Sequence, residues 1–164
     1  MATYSFQDVT ATIVGSGIVN FGYGSNSAKE GISVTQNEPI NTMYIGADGE
    51  GMHSLKSNKS GTVTIRLMRT SPQNAQLQLM YNAQTLSSSL HGNNVITIRD
   101  KGNSEICVCR GCAFQKVADR NYGEEAGIQE WVFDCIKIDY VTGEYANGSR
   151  ACNARRLRVR HRAT

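Results

Sequence analysis

GADGEGMHSLKSNKS (46–60), GTVTIRLMRT (61–70) and SPQNAQLQLMYNAQTLSSSL (71–90) follow one another almost without gaps, and their reading decides the fold. The middle segment is the clearest strand in the chain. Val63, Ile65 and Leu67 alternate with Thr62, Thr64 and Arg66, so one face is core and the other is wet. The third segment reads as the single flanking helix, about residues 72–90. Ser71 is placed to cap it, Pro72 takes the first helical position, and Gly92 supplies a left-handed stop beyond His91. Ala75, Leu79, Ala83, Leu86 and Leu90 recur at three- and four-residue spacing and predict the core-facing stripe, with Leu77 and Met80 beside it. The first segment predicts a long loop without structure of its own, punctuated by Gly46, Gly49, Gly51 and the turn-tolerant Asp48. Loops of that length in a compact domain are commonly functional. Met52 and Leu55 are its only large apolar side chains, so it reads as an assembly arm: Asp48, Glu50, Met52, His53, Leu55 and Lys56 form the candidate contact set. A plain surface loop is the alternative.

Outward from this run, strands dominate. Tyr4–Val14 predicts a long strand, Gly15-Ser16-Gly17 a turn, and Ile18–Phe21 a short return strand. Residues 25–30 read as loop. Gly31–Gln36 and Ile40–Ile45 predict a hairpin turned at Asn37-Glu38-Pro39. On the C-terminal side, Val95–Arg99 and Ser104–Arg110 predict a second hairpin. Gly111 is read as a bulge before Cys112–Val117, residues 118–127 as polar loop, and Ile128–Ile138 as one last strand carrying Trp131 and Phe133. Residues 141–148 read as weakly structured. The expected fold is mainly β: a two-sheet sandwich or partly closed barrel with one flanking helix.

The chain has 164 residues, which is one domain by size, and 40% apolar against 19% charged residues is a globular balance. The start, MATYSFQDV, has no basic region followed by an apolar run, so no secretory signal is expected, and no apolar run is long enough to span a bilayer. Five cysteines in a chain folded in a cytosol are expected to stay largely reduced. The net charge of +3 hides an asymmetry. Arg150, Arg155, Arg156, Arg158, Arg160 and Arg162 cluster at the end; without those six, 11 basic residues face 14 acidic ones, so residues 1–149 carry −3. The division expected is a β domain over 1–149 and a basic, disordered tail over 150–164.

The candidate chemistry is thin. Cys107, Cys109 and Cys112, with Cys135 distant, supply thiolates for zinc in principle, but the first pair sits on a strand with no knuckle turn, and buried idle thiols are the better reading. His53, His91 and His161 are scattered, and no nucleophile–base set follows from their spacing. GADGEG lacks the Lys and Ser/Thr of a phosphate loop, and Asp48 and Glu50 lack the spacing of a calcium loop. The Arg-rich tail suits phosphate contacts but holds no aromatic for base stacking, so nucleic-acid contact and a solvated terminus stand side by side. The sequence points away from an enzyme, calls for no cofactor or metal, and points toward a subunit. A small metal- or nucleic-acid-binding module using the cysteines and the tail is the alternative.

NTMYIGADGEGMHSLKSNKSGTVTIRLMRTSPQNAQL (41–77), LHGNNVITI (90–98) and IQEWVFD (128–134) together resemble the tail tube proteins of contractile-tailed bacteriophages, a likeness covering most of residues 1–140. The resemblance implies a two-sheet domain related in fold to type VI secretion tube subunits. It implies six-fold rings that stack into a hollow tube, a virion tail location after assembly in the host bacterial cytoplasm, and sheath, baseplate and tail terminator partners. A head–tail connector or other virion part is the nearby alternative. On this reading the 46–60 arm reaches the next ring, DNA slides through the bore during ejection, and no membrane is involved. A bore that lets DNA pass has to be acidic or neutral, because a basic lining would hold phosphates. Asp8, Glu38 and Asp134 are the candidate lining residues, and the basic tail is expected to point away from the lumen.

Overall fold

The computed structural model describes residues 2–24 and 27–144. The predicted basic tail, and the end of the weakly structured stretch before it, lie outside the described residues. Ten strands and one helix run in the order β1 (Val9–Val14), β2 (Ile18–Gly22), β3 (Ser27–Gln36), β4 (Asn41–Ile45), β5 (Gly51–Leu55), β6 (Gly61–Met68), α1 (Gln73–Thr85), β7 (Asn94–Asp100), β8 (Glu105–Lys116), β9 (Ile128–Cys135) and β10 (Lys137–Val141). Eight of the strands form one antiparallel sheet in the order β2-β1-β7-β8-β9-β6-β3, with β10 paired to β8; β4 and β5 form a separate two-stranded sheet.

The large sheet works as two halves hinged on β8. Its first part pairs with β7 and β10, and its second with β9. The hinge is chemical. Gly111 sits at φ +63°, and residues 110 and 111 of β8 oppose the single Val95 of β7, a bulge of the kind that bends a strand. This is where the bulge was predicted. The outer strands β2 and β3 approach each other where the Ser27 hydroxyl donates to the Gly22 carbonyl at 3.0 Å. Among the described residues no ladder closes them, so the partly closed form holds and the barrel stays open.

The core lies between the halves and under α1. The inward residues of β6, Val63, Ile65 and Leu67, are fully buried with Ile13, Ile96, Leu77 and Phe133. Phe114 gathers the aromatics: it packs edge-on to Tyr81 of the helix (5.6 Å between centroids) and to Trp131 (5.9 Å), and lies tilted against Phe133 at 4.6 Å. Polar bonds pin the helix at both ends. Asn74 Oδ1 accepts from the Trp131 indole N–H at 3.1 Å while its amide donates to the Met68 carbonyl at 2.9 Å. At the other end Gln84 and Asn94, both buried, exchange amide hydrogen bonds of 2.6 and 2.7 Å, so neither leaves an orphaned group.

Several expectations need correction. The helix stops at Thr85, a turn and more before residue 90, and it buries Leu77, Met80 and Gln84 rather than the Ala75–Leu79–Ala83–Leu86–Leu90 stripe. The two amide anchors rotate the helix away from its most apolar stripe, and Leu79 and Leu86 are left exposed. Strand β3 starts at Ser27, inside the expected loop, and pairs with β6, not with residues 40–45. Strand β1 starts at Val9, after a short 3-10 turn over Phe6–Asp8. The last predicted strand breaks at Ile136, whose N–H turns to the Arg110 carbonyl (3.1 Å), and resumes as β10 on β8. A third of the 46–60 loop is strand. Residues 51–55 pair with 41–45, so the arm is a β-hairpin.

Candidate interaction surface

The hairpin leaves the body between β3 and β6. At its base the Lys56 N–H donates to the Ile40 carbonyl at 2.7 Å, and Asn37 N–H to the Ser60 carbonyl at 3.1 Å. Asn58 donates to Glu38 Oε2 at 3.4 Å, which ties the two sides of the stalk together. At the tip the Gly46 N–H reaches the Glu50 carbonyl at 2.8 Å, Gly49 takes φ +87°, and Asp48 Oδ1 accepts from the Glu50 N–H at 3.2 Å. The glycines and Asp48 that read as loop punctuation are the turn chemistry of a hairpin.

Register fixes two faces. Asn41, Met43, Ile45, His53 and Leu55 share one, and Thr42, Tyr44, Met52 and Ser54 the other. Every residue of both strands is exposed. Met43, Tyr44, Ile45, Met52 and Leu55 are all more than half exposed, with Leu55 at 83%. A lone two-stranded ribbon is marginal in water, and here apolar side chains stand on both of its faces. Such an element gains stability only when another surface covers it.

The structure thus brings Asp48, Glu50, Met52, His53, Leu55 and Lys56 together on one projecting element. Met43, Tyr44 and Ile45 belong to the same surface and were missed. Symmetric spacing about Asp48-Gly49 was the signal available for them, since it sets Ile45, Tyr44 and Met43 opposite Gly51, Met52 and His53. The three lining candidates are not brought together. Asp8 closes the 3-10 turn ahead of β1, with its carbonyl accepting from the Lys101 N–H at 3.1 Å. Glu38 belongs to the stalk of the hairpin. Asp134 is exposed on the outer face of β9, in register with Thr62 and Ala113. That outer face is polar and charge-paired. Arg66 donates to Ser33 Oγ at 2.9 Å and lies 3.7 Å from Glu130.

The described cysteines are interior. Cys107, Cys109, Cys112 and Cys135 are free and buried, with Cys107 and Cys109 sulfurs 3.8 Å apart and Cys112 and Cys135 sulfurs 2.7 Å apart. The Cys107 thiol pulls Cys109 down, but its hydrogen bond with Cys135 and burial outweigh that and push it up to about 12. Cys135 is drawn down by Cys109, then raised by Cys112 and burial, also to about 12. Cys107 is raised, first by its bond to Cys109 and then by burial. Thiols held this strongly protonated are poor nucleophiles. Among the described residues no three His, Cys, Asp or Glu side chains converge as a metal site requires, and no helix is long and apolar enough to cross a membrane.

Solved structures share this fold. The chain is similar to the sheath/tube terminator of an extracellular contractile injection system, PVC, in its extended state. The TM-score is 0.60 at 11% identity, over 86% of this chain and 98% of that one. It is also similar to a chain of the PVC sheath–tube complex (0.56, 9% identity, 85% and 92% covered) and to the tube-terminating cap of the anti-feeding prophage (0.55, 11% identity, 87% and 95%). No curated protein matches the chain. A family model described as bacteriophage PhiTE tail tube protein matches residues 1–143.

Proposed function

The chain belongs to the bacteriophage PhiTE tail tube protein family and is a structural component of a virion tail, and from that premise we propose that it self-assembles into stacked, hexameric rings whose bore conducts DNA during ejection. The reading is non-enzymatic. Its subunits polymerise in the host bacterial cytoplasm and meet sheath, baseplate and terminator proteins in the finished tail. The observation that carries it is the β4–β5 hairpin, exposed along its whole length with apolar side chains on both faces. One element reaching from each copy to the next, without a rotation that closes, yields a filament.

The open sheet supports ring formation in the same way. Among the described residues strands β2 and β3 each have one unpaired edge, and an unpaired edge is a template for another chain. The polar, charge-paired outer face around Asp134 and Arg66 fits a bore surface, because it offers phosphates no cluster of unpaired cations. Asp8 and Glu38 lie elsewhere in the fold, and their place at the bore rests on the ring geometry proposed here.

Microscopy of negatively stained, concentrated protein tests the proposal. Wild type should give stacked rings or open-ended tubes. A chain with residues 41–55 replaced by a two-residue Asn-Gly turn should give folded protein without tubes, since Ile40 and Lys56 are already joined by a cross-strand hydrogen bond that such a turn can close. A monodisperse monomer at every concentration overturns the reading. Single rings that never stack would instead fit a terminator or connector.

A further inference from the structure

The hairpin stands at the start of β6, next to Gly61. The other end of the same strand, Met68, lies ~23 Å away at about 3.3 Å per residue. A second exposed surface has formed there. Arg69 follows β6 and donates to the Asn121 carbonyl, and its guanidinium lies 4.5 Å over the exposed ring of Tyr122. Arg120 of the same loop donates to Gln78 of α1 at 3.0 Å. Between them is an open cavity of about 210 Å³, lined in part by Arg69, Arg120, Asn121 and Ile128. Ile128 in its lining is exposed, as are Met68, paired with Ile128, and Tyr122, under Arg69. One carboxylate lines the cavity, Asp119, and it is held by Lys116 at 3.0 Å. Glu124 and Glu125 belong to the same loop but do not line the cavity.

We propose that this surface receives the hairpin of the next copy, with the Asp48–Glu50 tip entering between Arg69 and Arg120 and the methionines of the hairpin covering Tyr122 and Ile128. The inference rests on the tube reading above and adds the docking site to it. Three observations converge. The two surfaces sit at opposite ends of one strand, so each copy presents a donor end and an acceptor end, and the contact is head-to-tail, as stacking requires. Their charges are complementary: the tip carries Asp48 and Glu50, while the cavity carries Arg69 and Arg120, each with guanidinium N–H donors beyond the one it uses internally, and its one carboxylate, Asp119, is paired with Lys116. Both surfaces also carry exposed apolar groups at their flanks, which neither the sheet nor the helix covers. Methionine against an aromatic ring is a favourable and adaptable contact.

Charge exchange tests the site. Arg120 is exposed, and Glu50 uses only its backbone in the turn, so both tolerate substitution. Arg120→Glu and Glu50→Lys should each raise the protein concentration needed for stacking by about tenfold or more, by placing like charges together, while leaving rings and circular dichroism intact. The combined Glu50→Lys/Arg120→Glu chain should stack near the wild-type concentration, because each contact again pairs opposite charges. Single variants that stack like wild type, or a combined variant no better than either single, overturn the site. Those results leave the tube reading standing. A wild type that never polymerises overturns both.

Discussion

Replacing Met52 and Leu55 together by serine isolates the energy of the hairpin. Full burial of a Met or Leu side chain stabilises by about 1.5–3 kcal/mol. In the free chain Met52 is 59% exposed and Leu55 83% exposed, so most of that gain is still unrealised. Covering them on assembly is worth about 1 kcal/mol for Met52 and about 2 kcal/mol for Leu55. Serine at both positions therefore removes about 3 kcal/mol per docked hairpin, a factor on the order of 100 in its association constant. The free chain loses little, because neither side chain belongs to the core; the main local loss is the Met52–Tyr44 cross-strand pair, worth well under about 1 kcal/mol. The assay is the critical concentration for tube formation by sedimentation, run beside chemical denaturation of the monomer. A rise of about 100-fold with an unchanged denaturation midpoint fits the reasoning. A critical concentration within about threefold of wild type refutes it, and so does a large fall in monomer stability.

Three other consequences concern the body of the domain. Asn94→Ala leaves the buried Gln84 amide without its reciprocal partner, which should cost about 2–4 kcal/mol and lower Tm by roughly 5–12 °C; replacing both residues by Leu and Met should recover much of that, read by differential scanning calorimetry. Gly111→Ala forces a Cβ into the left-handed region and to within 2.9 Å of Ile136, so a loss of about 1–2 kcal/mol or more is expected in urea denaturation. Cys107, Cys109, Cys112 and Cys135 should resist alkylation in the native protein and react fully when unfolded, as peptide mapping would show. Three of these thiols, Cys107, Cys109 and Cys135, set an alkaline limit. Their folded pKa values are raised, for Cys109 and Cys135 from 9.0 to about 12, so the unfolded chain gives up protons first; stability should be level below pH 9 and decline from there toward 12.

The parts of this fold that were legible in the sequence are those where local chemistry and tertiary position agree. Val63, Ile65 and Leu67 alternate and are buried, and Gly111 breaks β8 where a bulge was expected. The helix was legible as an element but not in its orientation. Buried Gln84 and Asn74 fix it through hydrogen bonds to Asn94 and Trp131, and no apolar periodicity reports such bonds. The arm was legible as something other than a plain connection, through its length, its polarity and the pair Met52 and Leu55. Its strands were not, because a hairpin exposed on both faces has no apolar–polar alternation to display. The acceptor end was also hidden. Arg69 and Arg120 are separated by fifty residues of sequence, and only the return of β9 beside β6 brings them to one cavity.

Amide hydrogen exchange of the β4–β5 hairpin, compared between dilute monomer and assembled protein, probes the central claim most directly. An element completed only by another copy should exchange rapidly over residues 41–55 in the monomer and become strongly protected in the polymer, while β6 stays protected in both. Protection of those residues already in the monomer, or its absence in the polymer, would contradict the account.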